Sequence, residues 1–418
     1  MAMETLSEAN TSFAVDFFKH LCKTQTNTNV LFSPWSISSV MATLYLGAKD
    51  HTAQQIAKVF HFNKSGGTET TYPPRHPRVY SKMEELLNNP CISLTKPFPK
   101  IQSNIHSRFQ ALNQEINKPT KNVLLSSVNQ LYGDKSVSFQ REFSESMKKY
   151  YKVEPQTVNF QETKDDARKE INAWVEQQTA GKILNLLNEG SINPLTQLIM
   201  VNVLYFKGNW LKTFKKEDTT EQPFRLNKST SKPIKMMYQH DKFNWKYIDE
   251  LQVQILELQY IGNDFSMFIL LPDDINDDST GLEMLENKLT YEAFSKWTSP
   301  KEMEEVEANV HLPKMQLTIH NELKSLLINM GITDAFNAEM ADFTGMSANS
   351  NLSVSQIFHK CFVDVNEEGT EAAASTAGII DGRSDQGAIL FAADHPFLFF
   401  IRHNKTKNIL FWGRFCSP

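Results

Sequence analysis

VDVNEEGTEAAASTAGIIDGRSDQGAILF (363–391) is the stretch on which the reading of this chain turns. Both ends carry strand patterns, FVDV (362–365) before it and AILF (388–391) after it. Residues 367–387 between them are glycine-punctuated and small, and no proline occurs from 363 to 395. Taken alone, glycine and small polar residues describe an exposed loop. They also describe a segment that can become a strand. At a period of two, Thr370, Ala372, Ala374, Thr376 and Gly378 share one face, while Glu371, Ala373, Ser375 and Ala377 share the other. The first face is small throughout and Glu371 stays off it, so the segment can slide between two existing strands without a clash. The lack of proline keeps every ladder N–H available. On the residues alone, a plain flexible loop and an insertable strand both stand.

Outward from this stretch, strands dominate the second half of the chain. QLIMVNVLYF (197–206) is too continuously apolar for a half-exposed strand and predicts the middle of a covered sheet. VQILELQY (253–260) and FSMFILLP (265–272) flank IGND and predict a hairpin, as do FLFFI (397–401) and ILFW (409–412). The first 60 residues read as helical. Phe13, Phe17, Phe18 and Leu21 fall on one helical face, and Ser33 followed by Pro34 starts a second, almost wholly apolar helix. A third helix is expected over 163–180, with Thr163 and Asp166 at capping-box spacing, Gly181 as its stop, and Ala167, Ile171, Trp174 and Val175 as its buried stripe. Helices first and strands later, with mixing between, predict an α+β fold with large mixed or antiparallel sheets. Residues 63–100 contain Pro73, Pro74, Pro77, Pro90, Pro97 and Pro99 and read as a mobile surface insertion. No other shift in composition divides the chain, so 1–418 is expected to be a single domain.

The balance of 43 Lys and Arg against 48 Asp and Glu gives a net charge of −5, which argues against a nucleic-acid protein with a global basic field. No run approaches the 18 or so apolar residues of a membrane span, so no membrane partner is expected. Cys22, Cys91, Cys361 and Cys416 are far apart, which predicts free, mostly buried thiols and neither a disulfide framework nor a metal site. HExxH, GxSxG, GxxxxGK[ST] and GxGxxG motifs are absent, so neither catalytic residues nor a cofactor is expected. Asn-X-Ser/Thr sequons occur at Asn10, Asn63, Asn227, Asn351 and Asn404 and matter only on a secretory route.

The chain resembles the serpin family over essentially its whole length. The matching blocks are NVLFSPWSISSVMATLYLGA (29–48), NAWVEQQTAGKILNLL (172–187), VNVLYFKGNW (201–210), VDVNEEGTEAAAS (363–375) and ADHPFLFFIRHNKTKNILFWGRF (393–415). The N-terminus lacks a basic segment followed by an apolar run, and in this it is similar to the ovalbumin-related branch. That likeness implies a cytoplasmic protein, with secretion without a cleaved signal peptide as a second route.

The resemblance implies the serpin fold with an exposed reactive-centre loop, and a suicide-substrate mechanism. A protease cleaves the loop, is held as an acyl-enzyme, and is trapped when the loop enters the main sheet. Glu367, Gly369, Thr370, Ala372, Ala373, Ala374 and Ser375 then form the hinge. Counting from Glu367 as the first position, the seventeenth is Arg383, and the reactive bond is Arg383–Ser384. Arginine suits a trypsin-like pocket because a buried carboxylate there pairs with guanidinium. Gly382 before it favours plasminogen activators, of the urokinase and tissue types. By the same resemblance Ser33, Ser36, Asn202 and His359 form the polar cluster where the sheet parts, Trp210 lies under the loop's point of insertion, and Lys314 pairs with Glu367. The expected partner is a trypsin-like serine protease in covalent complex. The chain is expected to be a monomer, with loop-into-sheet polymers as a hazard. Residues 101–118 hold only Arg108 and Lys118 as cations, so no strong heparin site is expected. The alternative function is a non-inhibitory serpin, cut as an ordinary substrate or acting as a binding or storage protein.

Overall fold

The apolar run around Val201 becomes β4 (Leu198–Gly208), and its two side-chain rows go to two different cores. Ile199, Val201 and Val203 face a smaller cluster built with Ala167, Ile171 and Val175 of a helix spanning Lys164–Gln178. Leu198, Met200, Leu204 and Phe206 face the main core. A strand covered on both faces needs no polar alternation, which is why the sequence reads as continuously apolar. Asn202 is the exception, placed in the row that faces the main core and 1% exposed.

The computed structural model describes residues 2–65, 100–349, 351–368 and 387–418. Gly369, Thr370, Ala372, Ala373, Ala374, Ser375, Arg383, Ser384 and Cys91 therefore lie outside the described residues, as does most of the expected insertion.

Among the described residues the strands form two sheets. The five-stranded sheet has β4 at its centre. On one side β4 pairs in parallel with β11 (Val354–Val365), which pairs antiparallel with β10 (Met315–Glu322). On the other side β4 pairs antiparallel with β2 (Val123–Asp134), which ends against the short β3 (Gln156–Val158). The nine-stranded sheet contains both expected hairpins. β7 (Val253–Gln259) pairs with β8 (Phe265–Pro272), and β13 (Phe397–His403) pairs with β14 (Asn408–Phe415). β1 (Val30–Phe32) adds to β14. On the far side β6 (Ser231–Ile248) pairs with β5 (Thr220–Arg225) and β9 (Glu304–Pro313), and β12 (Ile389–Ala392) pairs with β9. Mixed parallel and antiparallel pairing with surrounding helices is the expected α+β arrangement.

Helix α1 (Ala2–Thr24) buries Phe13, Phe17, Phe18 and Leu21, and α2 (Pro34–Gly47) is buried along almost its whole length. The Ser33 hydroxyl caps α2 by accepting the Ser36 N–H at 3.2 Å. Helices α3 (Asp50–Val59), α4 (Lys100–Ile116), α5 (Arg141–Tyr151) and α6 (Lys164–Gln178) follow. Three local expectations are corrected. Val30–Phe32 is a strand inside the region read as helical, because it completes the edge beside β14. The Thr163 hydroxyl donates to Asn159 O at 3.2 Å and so makes no cap bond to α6. Trp174 is only half-buried, its ring edge-on to Tyr132 at 6.2 Å, whereas Ala167, Ile171 and Val175 are buried. The stop at Gly181 holds: its φ is +75°, and its N–H closes on Glu176 O at 2.9 Å.

Candidate functional site

Two polar clusters lie along the central parallel seam between β4 and β11. Between the two strands of a parallel pair a new strand can run antiparallel to both neighbours, the better-bonded arrangement. Asn202 and His359 are direct partners across that seam.

The first cluster brings together Ser33, Ser36, Asn202 and His359, all at most 1% exposed. The Ser33 N–H donates to His359 Nε2 at 3.0 Å, so that nitrogen is an acceptor and Nδ1 carries the proton. Nδ1 then donates to Asn202 Oδ1 at 2.5 Å. Asn202 Nδ2 donates to Ser36 Oγ and to Asn129 Oδ1, tying β4 at once to α2 and to β2. The Cys361 thiol lies 3.2 Å from His359 Nε2. Burial holds the His359 imidazole neutral, pushing its pKa down to about 3. A fully buried imidazole with both nitrogens engaged in protein hydrogen bonds joins the strands across the seam. Asn129 and Cys361 were missed by sequence reasoning. Their only signal was alternation along β2 and β11, which becomes legible once the strand partners are known.

The second cluster lies seven residues further along β11, about 23 Å away at strand rise. Trp210 is 2% exposed, stacks on Tyr260 at 4.5 Å, and donates Nε1–H to Asn366 O at 2.8 Å. The next peptide is held too, since Phe214 N–H donates to Glu367 O at 2.9 Å. The Glu367 carboxylate accepts from Thr219 Oγ1 at 2.9 Å and pairs with Lys314 Nζ at 3.0 Å. Burial pushes the Glu367 carboxyl up. Its own N–H, Lys314 and Thr219 outweigh that effect and leave it below the usual carboxylate range. Lys314 is 47% exposed, so this pair contributes on the order of 1 kcal/mol or less. Glu368 adds a pair with Lys216 at 2.8 Å. Phe214, Lys216 and Thr219 were not singled out from sequence, because the turn that carries them has no motif of its own.

The remaining candidates, Gly369, Thr370, Ala372, Ala373, Ala374, Ser375, Arg383 and Ser384, fall outside the described residues. Their boundaries are described. Glu368 ends one side, and Gly387, with φ +110°, begins the other and leads into β12. Arg402 and Arg414 are buried in β13 and β14, which removes them as exposed baits. Of the two cations expected near α4, Lys118 is paired with Glu115 at 2.7 Å.

A seam of two parallel strands, pinned by buried polar groups and with Asn366 and Glu367 anchored beside it, defines a class of protein. The chain belongs to the serpin family, described as serine protease inhibitor, which it matches over residues 8–418. It falls among the ovalbumin-related members. The chain is 48% identical to plasminogen activator inhibitor 2 of Homo sapiens, and 46% identical to leukocyte elastase inhibitor of Equus caballus, each alignment covering all of both proteins. The crystal structure of uncleaved ovalbumin superposes with a TM-score of 0.83 at 34% identity, over 99% of this chain and 100% of that one. The family is described as one of protease inhibitors rather than catalysts.

Proposed function

We propose that this serpin inhibits trypsin-like serine proteases, the plasminogen activators of the urokinase and tissue types first among them, by cleavage after Arg383. The protease serine attacks the Arg383 carbonyl, the Ser384 amine leaves with a proton, and an ester to Arg383 remains. The segment from Gly369 onward then enters between β4 and β11 and carries the ester-bound protease with it. The single observation that supports this reading most is the anchorage of Asn366 and Glu367 beside the parallel seam, through Trp210, Phe214, Thr219 and Lys314. From there a strand can start down the seam without rearrangement of β11. Small side chains at Thr370, Ala372, Ala374 and Thr376 suit a covered position. The 48% identity to a protein named for plasminogen activator inhibition supports the choice of target. The same reading takes the protein as a cytoplasmic monomer without a strong heparin site.

Incubation with urokinase-type plasminogen activator, resolved on SDS gels and titrated for stoichiometry, tests it. The expected result is an SDS-stable adduct near one-to-one, lost in Arg383→Ala. Cleavage after Arg383 without an adduct would mean a substrate-type serpin, and adduct formation undiminished in Arg383→Ala would remove Arg383 as the bait.

A further inference from the structure

The fold treats the Asn-X-Ser/Thr sequons of this chain unequally. Asn10 lies inside α1 and is 1% exposed. Its Nδ2 donates to Asn408 Oδ1 of β14 at 3.0 Å, across 398 residues of chain. Asn408 is fully buried, and its own Nδ2 donates to Ser7 Oγ, one helical turn before Asn10. The Ser7 hydroxyl donates in turn to Thr406 O at 2.5 Å. This network seals α1 against the end of the chain, with Phe13, Phe17 and Phe18 in the core beside it. Ser12 supplies the hydroxyl of the sequon. It is 4% exposed, and its Oγ has no hydrogen-bond partner among the described residues. A buried hydroxyl without a partner costs stability, so the fold gains nothing from it.

Asn227 is the opposite case. It sits in the turn between β5 and β6, closed by Leu226 N–H on Thr230 O at 2.8 Å. Its Oδ1 accepts from Ser229 N, Ser229 Oγ and Thr230 N at 2.9, 3.0 and 2.9 Å. The carboxamide oxygen is thus committed to the turn, while the NH2 has no protein acceptor among the described residues. Asn227 lines a cleft of about 570 Å³ together with Lys228, Lys232, Ser279 and Thr280. Asn63 and Asn351 are exposed, and Asn404 Nδ2 donates to both Asn263 O and Ser266 Oγ at 2.9 Å.

We infer that Asn227 is an acceptor for N-linked oligosaccharide, and that at Asn10 the same modification and the native fold exclude one another. In the transfer, Asn Nδ2 bonds to C1 of a lipid-pyrophosphate-linked oligosaccharide. The C1–O bond breaks, the lipid pyrophosphate leaves, and one amide proton is lost. At Asn227 the sugar meets the cleft, and no protein hydrogen bond is broken. At Asn10 it would have to lie between α1 and β14, where close-packed side chains leave no room. Folding cannot hide Asn10 in time. Its partner strand is made last, and at about 5–20 residues per second roughly 20–80 s of synthesis separate the two. Asn10 is therefore presented to the transferase in any compartment that contains one, and a chain modified there loses the docking of α1. Native protein comes from chains that Asn10 modification does not reach. None of this involves a protease or the reactive loop.

The experiment expresses the full chain in the cytosol and, behind a cleavable leader, through the secretory route of the same cells. Sugar-bearing asparagines are mapped by mass spectrometry after peptide N-glycosidase treatment in heavy-oxygen water. Wild type on the secretory route is expected to carry sugar at Asn10 and to be retained. Ser12→Ala, which removes the sequon and keeps Asn10, is expected to be secreted in severalfold greater amount with sugar at Asn227. Made in the cytosol, Ser12→Ala is expected to have a thermal midpoint no lower than that of wild type, which separates relief of modification from a change in folding. Secreted wild type with a native thermal transition and sugar at Asn10 overturns the inference. So do equal secreted yields of the two proteins, or secreted Ser12→Ala with Asn227 bare.

Discussion

His359 is a histidine whose tautomer is dictated by its neighbours, with Ser33 N–H on one nitrogen and Asn202 Oδ1 on the other. Its burial moves the pKa from 6.5 to about 3, which ties stability to pH with a definite sign. Between those values the unfolded chain binds the proton and the folded chain does not. The contribution is complete above pH 6.5 and declines as the pH falls toward 3. From pH 6.5 to 5 this one group removes about 2 kcal/mol. The first thermal transition is therefore expected to be lower at pH 5 than at pH 7, with a smaller pH dependence in His359→Gln. His106 is also pushed down to about 3 by burial and acts in the same direction, so the difference between wild type and variant is the informative quantity. Equal pH dependence in the two proteins would show that His359 is not the group responsible. Ser33, Ser36 and Asn202 were legible in the sequence through the family blocks, and His359 through the wider resemblance. Asn129, which bonds the same amide, was not, because nothing in β2 marks one asparagine as facing the main core.

The two hairpins and β4 followed from local pattern, since their side chains already state which face is covered. Packing between strands is less legible. Phe399 pairs across from Gly413, and a Cβ on that glycine would lie 2.2 Å from the Phe399 ring. Phe399 is fully buried and has little room to turn. Gly413→Ala is therefore expected to destabilise by about 1–3 kcal/mol through overpacking. A thermal midpoint within about 1 °C of wild type would contradict that expectation. Glycine is needed here for the close approach of a ring, and no turn signal marks it. The capping box read at Thr163 failed for a related reason. The spacing was present, but the hydroxyl found a nearer acceptor in Asn159 O.

The five-stranded sheet, as a whole, has a parallel junction at its centre, antiparallel pairs on either side of it, and a short parallel pair of β2 with β3 at one edge. Insertion of a strand at that junction would exchange one parallel ladder for two antiparallel ones. The proposed mechanism therefore depends on an unbroken run of N–H donors in the loop. Ala374→Pro removes one donor from the middle of that run and constrains its φ. The protease is expected to cleave this variant still, but the SDS-stable adduct should give way to free cleaved inhibitor, with the stoichiometry rising severalfold. An adduct undiminished in Ala374→Pro would mean that inhibition does not require this residue to enter the sheet.

The sequence by itself determined the fold class, a covered strand at 197–206, the two hairpins, the N-terminal helices and the family, because each is written in local periodicity or contiguous blocks. It also named Glu367 and Lys314 as partners. Only the tertiary structure decided that β4 and β11, about 150 residues apart in the chain, pair in parallel, and that Asn129 completes the polar cluster. It alone placed Phe214, Lys216 and Thr219 around the loop's anchored end, and sealed Asn10 against Asn408. Strand partners and buried contacts are long-range choices, settled by which buried faces meet, and no local stretch of residues contains that information.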